Sequence, residues 1–194
     1  MLRGVLRGDI PQFRTDVSGR WEPAQAPTSN LKTFLLSYSW ISADVLNLTV
    51  SNFKALGIFE YEAGGDIASL DADYDPRGFM HSLVRYCSQS LERLVLQSEG
   101  NGIHIFPWRE HPPIPDLRGL RKLKTFRCHY SDLVDNPQDE QSDANFDPCT
   151  LFPSTLEQLH LEAHDENKLH ILESILSTWT SVFPNLAFNV EKER

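Results

Sequence analysis

Three short constellations in this chain hold residue types that could do chemistry. Asp71, Asp73 and Asp75 alternate, with the spacing by which a calcium loop presents oxygen ligands. Such a loop also needs glycine at its sixth position and a bidentate glutamate at its twelfth. Pro76 and Ser82 stand there instead, and Asp75 before Pro76 reads as a helix cap followed by the first helical residue. His160, Glu162 and His164 resemble a zinc-protease set, but that set works as His-Glu-x-x-His on a helix. Here the segment His160-Leu161-Glu162-Ala163-His164 alternates polar and apolar residues and reads as a strand. His104, His111, His129 and His170 have no partner at ligand spacing.

Nucleophilic chemistry finds no better footing. Cys128 and His129 are adjacent, yet neighbours on a strand point to opposite faces. There is no Gly-x-Ser-x-Gly elbow, no phosphate loop and no dinucleotide glycine pattern. Gly64-Gly65 and Gly100-Asn101-Gly102 read as turns. The sequence therefore predicts no catalytic residue, no metal site and no cofactor. An α/β enzyme with an unrecognised site stands as the alternative from a different class.

The elements that would position these side chains follow from a repeat. Leu91-Glu92-Arg93-Leu94-Val95-Leu96 and Leu156-Glu157-Gln158-Leu159-His160-Leu161 share the form Leu-x-x-Leu-x-Leu. Leu31/Phe34/Leu36, Leu56/Phe59/Tyr61 and Leu123/Phe126/Cys128 keep the spacing with aromatic or thiol replacements. A sixth copy starting at Leu186 alternates apolar and polar but has Asn189 at the fourth place. The copies recur every 25 to 35 residues. Self-similarity of this kind is the signature of a solenoid, because one strand–helix unit cannot bury its apolar face alone. The expectation is an α/β solenoid of about six irregular units over residues 30–194, with a parallel sheet on its concave face. Residues 1–29, with Pro11, Pro23 and Pro27, read as an extended or poorly ordered lead-in. The stack would then begin at Leu31 with an open strand edge, which is a liability.

Between the strands, Ile41, Val45 and Leu48 suggest a helix, as do Phe79, Met80, Leu83, Val84 and Cys87 after Asp75. The longest helical stripe runs from Leu169 through Trp179 to Phe183. Pro107, Pro112, Pro113 and Pro115 exclude a normal helix from residues 97–115. Residues 132–148 carry six acidic side chains and almost no apolar ones, which predicts a mobile, solvated loop.

The bulk properties narrow the partner. The chain has 194 residues, enough for one domain with a sizeable core. Its formal charge of −9 argues against broad binding to nucleic acid or an anionic membrane. Arg118, Arg121, Lys122, Lys124 and Arg127 cluster within one repeat and read as a solvated face. Cys87, Cys128 and Cys149 are odd in number and widely spaced, which fits a reducing compartment, and Cys128 falls on an inward position. No signal-peptide pattern is present, and Asn47-Leu48-Thr49 reads as an accidental glycosylation triplet. The sequence predicts an intracellular chain, cytoplasmic or nuclear.

The repeats resemble those of the leucine-rich-repeat family, and most of all the irregular long-repeat domains of fungal F-box proteins. The likeness rests on Leu91–Leu96, on Leu123-Lys124-Thr125-Phe126, and on the paired entries Phe152-Pro153-Ser154-Thr155-Leu156 and Phe183-Pro184-Asn185-Leu186. Most repeats here exceed the family's usual length of roughly 20–29 residues. The asparagine that usually follows the sixth-position leucine is replaced by Glu99 and His164. The resemblance implies a non-catalytic module that recruits substrates to a ubiquitin ligase, through an F-box not found in these residues. A free-standing repeat scaffold is the alternative within the same class. The partner would lie on the concave face, against Glu60, Glu62, Arg93, Gln97, Arg127, His129, His160 and Glu162.

Overall fold

A computed structural model of the chain describes residues 3–7, 14–15, 21–22, 27–39, 41–63, 75–98, 113–133, 148–163, 179 and 183–192. The elements in chain order are β1 (Arg3–Arg7), β2 (Arg14–Thr15), β3 (Trp21–Glu22), β4 (Thr33–Ser39), α1 (Ala43–Val50), β5 (Ile58–Ala63) and α2 (Pro76–Cys87). They continue with β6 (Arg93–Ser98), β7 (Thr125–His129), a 3₁₀ turn (Tyr130–Asp132), α3 (Pro148–Leu151), β8 (Gln158–Ala163) and β9 (Ala187–Lys192). Seven strands form one open sheet in the order β1-β4-β5-β6-β7-β8-β9, and β2 and β3 pair separately. The six strands from β4 to β9 are parallel and lie in sequence order.

The repeat determines the register. Phe34, Phe59, Leu94, Phe126, Leu159 and Phe188, the fourth positions, pair across the whole sheet. Leu36, Tyr61 and Leu96 do the same at the sixth position, as do Cys128, Leu161 and Val190. One backbone device recurs between units. The carbonyl of Lys32 accepts from the N–H groups of Gly57 and Ile58, and that of Gly57 accepts from Glu92 and Arg93. Glu92 and Lys124 repeat it toward the next copy. The leucine before each of these residues is buried: Leu31, Leu56, Leu91 and Leu123.

Register corrects the sixth copy. Phe188 pairs with Leu159, and Ala187 donates to the carbonyl of Glu157. The equivalent copy thus begins one residue before Leu186, and Asn189 occupies an outward place beside His160 rather than interrupting the core.

The opposite edge also departs from expectation. β1 pairs antiparallel with β4, from Arg3 against Ser37 to Arg7 against Thr33. The edge of β4 that the sequence left open is therefore covered by residues of the lead-in.

The core lies on one face of the sheet, under the helices and the segment 113–124. Tyr61 meets Phe79 of α2 edge to face at 5.0 Å, and Phe34 meets Phe53 at 5.4 Å. Side chains of this kind, fully buried, contribute about 2 kcal/mol each by burial alone. Asp75 caps α2 as expected, accepting from Gly78 N at 2.8 Å, with Pro76 in the first turn. The stripe of α1 is different from that expected. Ser42 caps it, Leu46, Thr49 and Val50 are buried, and Val45 is half exposed. Thr49 turns its hydroxyl back to the Val45 carbonyl at 2.7 Å.

Asp132 is a further correction. It lies in the 3₁₀ turn, 2% exposed, and its carbonyl accepts from Ile114 N at 2.7 Å. The rest of the acidic segment, residues 134–147, falls outside the described residues, as do Asp71, Asp73, His164 and most of the expected Leu169–Phe183 helix. Trp179 and Phe183, at the end of that stripe, are buried. No helix among the described residues is long and apolar enough to cross a membrane.

Candidate functional site

The face of the sheet turned away from the core holds every predicted contact residue. Pairing arranges them in rows that run across the strands. Thr33, Ile58, Arg93, Thr125, Gln158 and Ala187 form the first row. Leu35, Glu60, Val95, Arg127, His160 and Asn189 form the second. In the third, Glu62 pairs with Gln97 and His129 with Glu162. Strand alternation places these side chains opposite the core, because successive residues point to opposite sides.

Two ion pairs cross the rows. Arg93 Nε donates to Glu60 Oε1 at 2.7 Å, with both side chains a third to a half exposed. Arg127 donates to Glu162 Oε1 through Nε at 2.8 Å and also through Nη2. The same oxygen accepts from Gln97 Nε2 at 3.3 Å, reaching over β7 from β6. His160 Nε2 stands 4.0 Å away, and its Nδ1 takes a 3.2 Å contact from the Asn189 amide nitrogen. Gln97, Arg127, Glu162, His160 and Asn189 therefore link β6 through β9 in one polar network. Charge-assisted bonds of this type are roughly twice as strong as neutral ones.

Burial separates the predicted residues into two groups. Arg93 is exposed, and Glu60, Glu62, Gln97, Arg127 and His160 are half-buried. His129 and Glu162, expected as surface contacts, are 4% and 8% exposed. His129 caps the 3₁₀ turn: Ser131 N donates to its Nδ1 at 3.2 Å. Glu162 is enclosed by the donors it holds. Both lie on this face but are buried there by their neighbours.

The sequence reading missed Asn189 and Tyr38. Asn189 became visible only with the corrected register. Tyr38 sits at a bulge: Leu36 pairs with Tyr61 and Ser39 with Ala63, so Ser37 and Tyr38 together oppose Glu62. Its φ of 49° is in the left-handed region, where a non-glycine residue is strained by about 1–2 kcal/mol. The ring is 52% exposed. Ser39 fixes the bulge from the far side, its carbonyl accepting from the buried Tyr61 hydroxyl at 2.7 Å.

Two of the three thiols, Cys87 and Cys128, are buried, and Cys149 is exposed. Burial pushes the Cys128 thiol well above its ordinary range, and the charges of Asp132 and Glu162 add to that. Burial likewise raises Cys87 to about 12. A thiol that holds its proton is a small apolar residue, not a reagent. Among the described residues no group of three His, Cys, Asp or Glu side chains is arranged to hold a metal ion.

Comparison with protein-family models, with curated proteins and with solved structures finds no match for this chain. The assignment that the geometry supports is a single open α/β sheet whose six parallel strands carry one polar, partly exposed face.

Proposed function

We propose that the chain is a non-catalytic interaction module that holds a protein partner on the open face of its sheet. One observation carries this reading. The charged and polar side chains of five consecutive strands are presented in register on one face, while the opposite face is buried. A surface built this way has width, rigidity and mixed charge, which suit recognition by shape and electrostatic complementarity. Arg93, Glu60, Arg127 and His160 are the contact residues, over a row in which Val95 is buried.

The leucine-rich-repeat solenoid is the architecture that best accounts for this. Its support is the sequential strand order and the carbonyl bond repeated from Lys32 to Lys124. Among the described strands β4 to β9, sequential order leaves no point of reversal, where the ligand crevice of a doubly wound enzyme would lie. The narrower role, substrate recognition for a ubiquitin ligase, is carried only by the likeness of Leu91–Leu96 and the paired phenylalanine-proline entries to F-box repeat domains.

The test is quantitative affinity purification of the wild-type chain, of an Arg93→Glu/Arg127→Glu variant, and of an Arg121→Glu variant off the face. Loss of a discrete partner from the first variant alone supports the reading; equal recovery from all three overturns it. Recovery of ubiquitin-ligase subunits from a longer form that carries an F-box, and not from these residues alone, would support the narrower role, and their absence from that longer form would remove it.

A further inference from the structure

The bulge at the end of β4 has a chemistry of its own. Tyr38 projects a half-exposed ring, and the extra residue in its strand sets it against Glu62 on β5. Glu60, two residues earlier, is occupied by Arg93 at 2.7 Å. Among the described residues Glu62 has no ion pair or hydrogen bond. An unpaired carboxylate therefore lies on the strand next to the bulge that carries an exposed tyrosine with a left-handed backbone. Strained backbone persists only where the surroundings over-determine it, here through the Tyr61 hydroxyl on the Ser39 carbonyl.

We propose that Tyr38 and Glu62 form the anchor point for a basic side chain, arginine or lysine, on a protein partner of the open face. The proposal rests on the reading of that face as a protein-binding surface and specifies the chemistry of what binds. The ring supplies an electron-rich face for the cation, and the carboxylate supplies the opposite charge. The chain's formal charge of −9 favours approach of a basic segment from a distance. Tyrosine at such a position gives a large, rigid contact at low entropic cost, as at many interface hot spots.

The test uses the full chain, isotope-labelled for NMR, and three end-blocked probe peptides that alternate glycine with arginine, lysine or glutamate. The arginine and lysine peptides should shift the amide signals around Tyr38 and Glu62, and the glutamate peptide should not. Tyr38→Asn tolerates the left-handed backbone, so it removes the ring without unfolding the bulge. It and Glu62→Gln should each weaken arginine-peptide binding by about threefold. Glu92→Gln, which removes one exposed carboxylate elsewhere, should leave binding unchanged. Unchanged binding in both test variants would overturn the proposal. So would an equal loss in Glu92→Gln, which would mean attraction by net charge alone. Failure here with partner loss in Arg93→Glu/Arg127→Glu would leave the open face as the binding surface and remove only this anchor.

Discussion

Arg127 and Glu162 lie on adjacent strands, and the Arg127 guanidinium donates to a single carboxylate oxygen, through Nε at 2.8 Å. The carboxylate is nearly inaccessible while the guanidinium reaches water at one side. Removing the acceptor strands the donors of Arg127 and Gln97, but Arg127 can partly rehydrate. Glu162→Leu should therefore destabilise the fold by about 2 kcal/mol, less than for a fully buried pair. Glu162→Gln, which keeps an acceptor, should cost about 1 kcal/mol. Urea unfolding of the three proteins checks the order.

Alkaline pH should loosen the fold. Cys87 rises from 9.0 to about 12 and Tyr61 from 10.0 to about 12, both chiefly by burial. Below pH 9 these groups hold their protons whether the chain is folded or not. Between pH 9 and 12 the unfolded chain releases protons that the folded chain retains, so stability falls as pH rises. Unfolding midpoints across that range should decline, and Cys87→Ala should flatten the decline.

Gly78 stands in the first turns of α2, where helix propensity alone favours alanine by about 1 kcal/mol. A Cβ there would run into the Asp75 cap carboxylate and come within 2.5 Å of the Ala43 methyl of α1. The close approach of the two helices outweighs propensity. Gly78→Ala should lower stability by about 2 kcal/mol in thermal or urea unfolding.

Glycine in a strand interior normally weakens it, but Tyr38→Gly should be neutral or stabilising by up to about 1 kcal/mol. Relief of the left-handed strain, about 1–2 kcal/mol, exceeds the added chain entropy of about 0.5–1 kcal/mol. A clear loss of stability on urea unfolding would mean that the ring itself packs.

Much of the sheet was legible in the sequence because a period of two and a period of one unit coincide. Phe34, Phe59, Leu94, Phe126 and Leu159 each had to point inward if any of them did. The helix at Asp75-Pro76 was legible because a cap and a proline are local signals. What escaped was non-local. The stripe of α1 admitted two phases, and packing chose Leu46 and Val50 over Val45. The burial of Glu162 depends on Gln97, 65 residues away, and that of Asp132 on a backbone bond to Ile114. The bulge at Tyr38 arises because seven residues of β4 run beside six of β5, a mismatch between two strands that neither reveals alone.

Position-resolved photo-crosslinking tests the binding face most directly. A photoreactive benzoylphenylalanine would replace Thr125, on the outward first row, in one protein and Lys122, in the preceding turn, in another. The expected result is a crosslink from position 125 to one discrete protein in living cells, with none from position 122. Equal labelling from both positions, or labelling only from position 122, would contradict a partner seated on the sheet.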